Sequence, residues 1–155
     1  MLWRVAAVLS VLVLSPAQGA PKKDSPGAWN EKAIAWKSYV EGMALAAKSQ
    51  KPVCVVVFAT WCPHCTNFAR VFNDARIVAR AKDFVMIRVD EDQEPDVGKT
   101  LAPDGVYVPR TLFIDSAGEV AAGIHAPRPK FKYFYDEADP ASLLSGMDEA
   151  LRKLR

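Results

Sequence analysis

Cysteine and histidine are scarce here, at three and two residues in a chain of 155. Three cysteines are too few for a small scaffold braced by disulfides, and two histidines add little from which to build a metal site. Neither sign of charge is in excess: twenty Lys and Arg stand against eighteen Asp and Glu, a net +2. That lacks the basic surplus of a nucleic-acid binder. Internal repeats and low-complexity stretches are missing too, which argues against fibrous and wholly disordered chains. What remains, 50% hydrophobic and 25% charged residues, is the balance of one ordinary globular domain.

No apolar run is long enough to span a bilayer. The longest, at 5–14, is broken by Ser10 and falls well short of the ~20 residues a crossing helix needs. Arg4 precedes it, Pro16 ends it, and Ala17-Gln18-Gly19 offers small residues at a cleavage site. This is the pattern of a secretory signal at 1–19, cut after Gly19. A polar, proline-bearing stretch at 20–28 reads as a flexible leader, and 29–155 as the folded domain. The expectation is a mature protein outside the cytoplasm, without stable membrane insertion.

Hydrophobic periodicity sketches the elements. Ser38 caps a helix to about Ser49, with Val40, Met43, Ala44 and Ala47 on one face. The VCVVVFA run at 53–59 is β-branched and unbroken, as in a strand buried on both sides. A helix follows Cys62, with Pro63 in its first turn and an apolar stripe of Phe68, Val71, Phe72 and Ala75. A short helix at 74–81 continues it with a bend. Residues 84–89 form a second strand, the acidic 90–96 run a solvated loop, and 111–114 a third strand. Through Gly118 this turns into a fourth strand at 119–122 as an antiparallel hairpin. Asp139 caps a last helix with Pro140 at its first position and Leu143, Met147, Leu151 and Leu154 on its stripe. The order implies an α/β fold, a mixed sheet with helices on both faces.

Thr60-Trp61-Cys62-Pro63-His64-Cys65 stands where the buried strand becomes a helix. Sulfurs three residues apart on an opening helical turn can close a small disulfide ring. Cys62 lies at the helix N-terminus, where unpaired N–H groups and the dipole favour an anion. His64, when protonated, adds positive charge nearby. All three favour thiolate, the reactive form. A free thiol is only ~3% ionised at neutral pH, whereas in motifs of this kind the sulfur is often mostly thiolate. Stabilising the thiolate stabilises the reduced protein and makes the disulfide more oxidising, across a span of about 150 mV or ~7 kcal/mol. Pro63 and His64 therefore tune the thiolate and push toward the oxidising end.

Competing readings are weaker. A zinc site would need two more ligands, with only Cys54, His125, His64 and carboxylates left to supply them, so no metal is expected. An inert brace suits this strand-to-helix junction less well than exchange. Cys54 reads as a buried small hydrophobe, and His125 as a surface residue without a companion. Val108-Pro109 stands just before the third strand. A cis bond there would leave the Val108 backbone free to pair with an extended client beside Trp61, and spacing alone leaves cis and trans open. The KFKYFY stretch at 130–135 interleaves basic and aromatic residues, but Asp136 and Glu137 follow at once, which favours core aromatics over nucleic-acid stacking.

The chain resembles the thioredoxin superfamily. Within it, it is similar to the single-domain endoplasmic-reticulum thioredoxin-like proteins (thioredoxin domain-containing protein 12 and the anterior gradient family). The resemblance rests on Lys51-Pro52, Trp61-Cys62-Pro63-His64-Cys65, Phe84-Val85-Met86, Asp104-Gly105-Val106-Tyr107-Val108-Pro109-Arg110 and Tyr133-Phe134-Tyr135. It implies a thioredoxin fold, dithiol–disulfide exchange on cysteine-containing clients, a cis bond at Pro109, and no cofactor beyond a Cys62–Cys65 disulfide. Three departures stand out. Pro63-His64 is the DsbA pair rather than the family's glycine-alanine. The C-terminal Leu-Arg-Lys-Leu-Arg is not an ER-retention tetrapeptide. Val56 occupies the position of thioredoxin's buried acid, so no carboxylate is evident to handle the Cys65 proton.

The resulting expectation is an extracytoplasmic thiol–disulfide oxidoreductase, in the ER lumen, secreted or periplasmic. Cys62 and Cys65 are its catalytic pair, Pro63 and His64 its thiolate-tuning residues, and Trp61, Val108 and Pro109 its substrate groove. A separate redox partner resets the disulfide. The alternatives are a reductase on the same fold and a non-catalytic client-binding module.

Overall fold

Six consecutive buried residues, Val53–Phe58, form β1, the central strand. The computed structural model describes residues 28–155; residues 1–27, with the expected signal and most of the leader, lie outside the described residues. β1 pairs in parallel with β2 (Val85–Asp90) and antiparallel with β3 (Arg110–Ile114), giving the order β2-β1-β3. The parallel pairing needs a crossover. It is supplied by α2 (Pro63–Ala69), a 3-10 turn (Arg70–Asn73) and α3 (Ala75–Ala81). The remaining helices are α1 (Tyr39–Ser49), α4 (Pro95–Thr100) and α5 (Pro140–Lys153).

Strand side chains alternate between faces, and β1 divides the core accordingly. Cys54, Val56 and Phe58 face a layer of Phe68, Phe72, Ile77, Leu143 and Met147, contributed by α2, the 3-10 turn, α3 and α5. Val53, Val55 and Val57 face Ala46, Ile87, Leu112 and Ile114 beneath α1. This is the expected mixed sheet with helices on both faces. Among the described residues no helix is long and apolar enough to cross a membrane.

α1 begins as the sequence implies, with Ser38 Oγ accepting from the Glu41 N–H at 3.4 Å. Its close approach to β2 depends on Gly42, where a Cβ would stand 2.3 Å from Ile87 Cγ1. Gly42→Ala is therefore expected to destabilise the domain by about 1–3 kcal/mol despite alanine's better helix propensity. Urea unfolding of both proteins measures it, and an equal or higher midpoint would contradict the packing argument.

Three expectations need correction. The fourth strand at 119–122 does not form as a strand. Only Val120 bridges Ile114, with Ala121 N–H donating to Phe113 O at 2.8 Å. The next residues, Ala122 and Gly123, have little side chain to pack on a pleated surface, and the chain turns back at once (Ile124 N to Ala121 O, 2.9 Å). The acidic run at 90–96 is not all loop, because Pro95 opens α4 at a position where proline is well tolerated. Ala75 leaves the α2 stripe: Asp74 caps a new helix through the Arg76 N–H (2.8 Å), and Ala75 is exposed at its start.

The far edges of β2 and β3 are each met by a single isolated bridge. Lys37 pairs with Ile87 outside β2, and Val120 with Ile114 outside β3.

Candidate active site

The end of β1 delivers the chain to the mouth of α2. Cys62 is the N-cap, with extended backbone (φ −84°, ψ 117°), and its Sγ accepts from the Cys65 backbone N–H at 3.4 Å. Pro63 takes the first helical position, where its missing N–H costs no hydrogen bond. Capping oxygens are usual here; a sulfur in that role is held against the positive end of the helix, where negative charge is favoured.

A second element closes on the same sulfur. The Val108–Pro109 peptide bond is cis, and the Val108 carbonyl accepts from Cys62 Sγ–H at 3.7 Å. Cys62, Cys65, Val108 and Pro109 are thus gathered at one point. Both cysteines are free thiols here, and both are buried, at 4% and 2% exposure. The strand-to-helix junction packs Cys62 into the core, and the Val108 carbonyl lies against its sulfur.

The two thiols differ in surroundings. Burial pushes the Cys65 thiol well above its ordinary range, a backbone hydrogen bond with Ala59 pulls it partly back, and the neighbouring Cys62 and Glu91 add to the rise. Glu91, just past β2, acts on Cys65 through its charge alone, and Val56 is fully buried in the apolar layer. Glu91 is held in turn by Arg110, whose Nη1 donates to its Oε2 at 2.6 Å. Arg110 is fully buried. Its Nε donates to Leu101 O (2.7 Å), its Nη2 to Gly98 O (2.5 Å), and its Nη1 also to Tyr107 O.

Trp61 and His64 stand outside this buried pair. Trp61 is 68% exposed, and its Nε1–H donates to Asp92 Oδ2 at 2.7 Å, which ties the ring to the acidic loop. The His64 ring is turned toward the segment before α5. Nδ1 pairs with Glu137 Oε2 at 2.9 Å, and the ring meets Phe134 edge-on at 5.7 Å. Asn67, one turn along α2, donates through Nδ2 to the other Glu137 oxygen at 3.2 Å.

The remaining candidates lie elsewhere. Cys54 is fully buried in β1, and desolvation drives its thiol far above the ordinary range, in keeping with an inert core residue. His125 is half-buried rather than a lone surface residue, with Nδ1 2.8 Å from Ala126 O and its ring 6.1 Å from Tyr133. Of the 130–135 aromatics, Tyr133 and Tyr135 are core residues as expected, whereas Phe131 is 53% exposed and packs against Tyr107. Among the described residues no three His, Cys, Asp or Glu side chains are gathered as a metal site. Sequence reasoning missed Glu91, Arg110, Asn67 and Glu137 as parts of this neighbourhood. Arg110 lies inside the quoted Val108-Pro109-Arg110 motif, but nothing local points to the other three.

A family model described as thioredoxin-like matches residues 35–116. Among characterised proteins, the human anterior gradient protein 2 homolog is 31% identical over 128 residues, covering 82% of this chain and 71% of its own length. Two solved structures share the fold at 18% identity. A disulphide isomerase from Xylella fastidiosa Temecula1 superposes with a TM-score of 0.56, covering 87% of this chain and 99% of that one. A DsbH oxidoreductase reaches 0.59, covering 88% and 96%.

Proposed function

This chain belongs to the thioredoxin-like family of disulfide oxidoreductases, and from that premise we propose that it oxidises and isomerises disulfides in secreted client proteins through Cys62 and Cys65. The observation that carries the reading is the placement of the Cys62 sulfur, which caps α2 through the Cys65 N–H and lies against the Val108 carbonyl.

In the oxidising direction the enzyme starts with a Cys62–Cys65 disulfide. A client thiolate attacks Cys62 Sγ, the sulfur–sulfur bond breaks, and Cys65 leaves with the electron pair. Burial around Cys65 favours its protonated thiol form after it leaves. A second client thiolate then attacks the client sulfur of the mixed disulfide, and Cys62 departs as a thiolate. The helix mouth stabilises that leaving group, which speeds its release. Two electrons pass from client to enzyme, and an external disulfide or other dithiol oxidant must take them away. In reverse, Cys62 attacks a client disulfide; if Cys65 resolves the adduct the client is reduced, and if another client thiolate displaces Cys62 a different client disulfide forms, which is isomerisation.

The client groove runs between Trp61 and the cis-proline loop, where the Val108 backbone can pair with an extended peptide. Pro63 and His64 favour the oxidising end of the family range. The signal pattern at 1–19 supports an extracytoplasmic compartment for this chemistry, where disulfides persist. The cysteine pair is itself the redox centre, so the reaction draws on no separate cofactor.

The test is trapping. Cys65→Ser leaves the attacking sulfur without its resolving partner, so client mixed disulfides are expected to accumulate severalfold as reductant-sensitive bands on non-reducing gels. The double variant Cys62→Ser/Cys65→Ser should form none. Clients retained equally well by the double variant would show a binding module instead. A reduction potential near thioredoxin's, about −270 mV, would favour a reductase.

A further inference from the structure

The geometry points to Glu137 as a positioning residue that sets the redox poise of the Cys62–Cys65 pair by clamping His64. This deepens the function proposed above and rests on it.

Glu137 is on neither the active-site strand nor its helix. It arrives from the segment between Tyr135 and α5 and reaches α2 with both oxygens, Oε2 to His64 Nδ1 (2.9 Å) and Oε1 to Asn67 Nδ2 (3.2 Å). Phe134, three residues earlier, sets its ring edge-on against the imidazole at 5.7 Å. The ring is thus held from two directions, with Nδ1 committed to the carboxylate. Charged groups around this clamp include Glu137 itself, Arg128, whose guanidinium lies 4.7 Å over the Phe134 ring, and Arg70, which lines the same surface pocket as Asn67 and Glu137. On its own helix the ring's partner through Glu137 is the uncharged Asn67.

The electrostatic consequence has a definite sign. A protonated His64 two residues from Cys62 supports the thiolate and so the reduced enzyme. With the ring protonated, a carboxylate bound to it sets negative charge beside that positive charge and opposes the support. Glu137 therefore restrains the oxidising power that the Pro-His pair confers. The restraint is modest, since the pair's side chains are 60% and 25% exposed and partly screened by solvent.

The experiment is the thiol–disulfide equilibrium of the mature domain with reduced and oxidised glutathione at pH 5.5, comparing wild type, Glu137→Gln and Asp148→Asn. The comparison replaces the Glu137 carboxylate by a neutral amide. Glutamine keeps the shape and can still accept from Asn67. The equilibrium of Glu137→Gln is expected to shift about threefold toward the reduced protein, roughly 14 mV more oxidising at 29.6 mV per tenfold. Asp148, which pairs with Arg80 on the far side of the molecule, serves as the control and should leave the equilibrium unmoved. An unchanged constant in Glu137→Gln, a shift in the opposite direction, or an equal shift in Asp148→Asn would overturn the role of Glu137 while leaving the oxidoreductase reading intact. A wild-type domain that does not equilibrate with glutathione at all would overturn both.

Discussion

Cys62→Ser is expected to reduce dithiol oxidation to the uncatalysed background, the largest effect on activity that a single substitution here should produce. In the proposed mechanism the sulfur at this position is the atom that a client attacks and the atom that leaves, and a serine hydroxyl can do neither in disulfide exchange. The substitution also separates chemistry from folding. Serine is among the preferred N-cap residues, and its oxygen can accept from the Cys65 N–H as the sulfur does now (3.4 Å). The variant should keep the wild-type circular dichroism spectrum and melt within about 1 kcal/mol of the parent, the usual scale of an N-cap exchange. Oxidation of a fluorescent dithiol peptide by glutathione disulfide, with and without each protein, measures the effect. Undiminished catalysis in the serine variant would remove Cys62 from the mechanism.

The second large effect falls on stability. Arg110→Met should cost about 3–5 kcal/mol, the range for breaking a buried ion pair from one side. Arg110 is fully buried, and its guanidinium serves four acceptors: Glu91 and the carbonyls of Gly98, Leu101 and Tyr107. Methionine fills much of the volume but leaves a partly buried carboxylate and three carbonyls without their donor. For a domain of this size the loss corresponds to a fall in melting temperature of roughly 10–20 °C. Arg110→Lys should recover only part of it, because an ammonium cannot reproduce the planar fork that spans these acceptors. Thermal melts of the three proteins test this, and a methionine variant within 1 kcal/mol of wild type would refute the account. The guanidinium also ties α4 and the 98–107 loop to β3. Its loss is therefore expected to loosen the approach of Val108 to Cys62 and to lower activity before the domain unfolds.

Elements carried by strong local chemistry were legible in the sequence. The unbroken 53–59 run, the Ser38 and Asp139 caps and the proline at the start of α2 each announce themselves within a few residues, and the structure has them. The cysteine pair was legible for the same reason: its spacing and its place at a helix start are local facts. The cis bond at Pro109 was not decided by spacing, and followed only from the family resemblance. What escaped depends on contacts distant in sequence. Glu137 meets His64 across 73 residues and Asn67 across 70, and Glu91 meets Arg110 across 19. No periodicity encodes such meetings. The hairpin at 119–122 failed for a different reason. Asp115 Oδ1 accepts from the N–H groups of Ala117 and Glu119 (2.9 Å each) and shapes the turn as expected, but the alanines beyond it lack the bulk to hold a strand.

The single-residue bridges at Lys37 and Val120 carry a consequence for how the sheet meets other chains. A sheet with free margins offers its own backbone as a template for another strand and invites edge-to-edge association. Here each margin is met by a short stretch of the protein's own chain. Fewer backbone groups are left along the strands for a second copy, or a stray extended segment, to pair with.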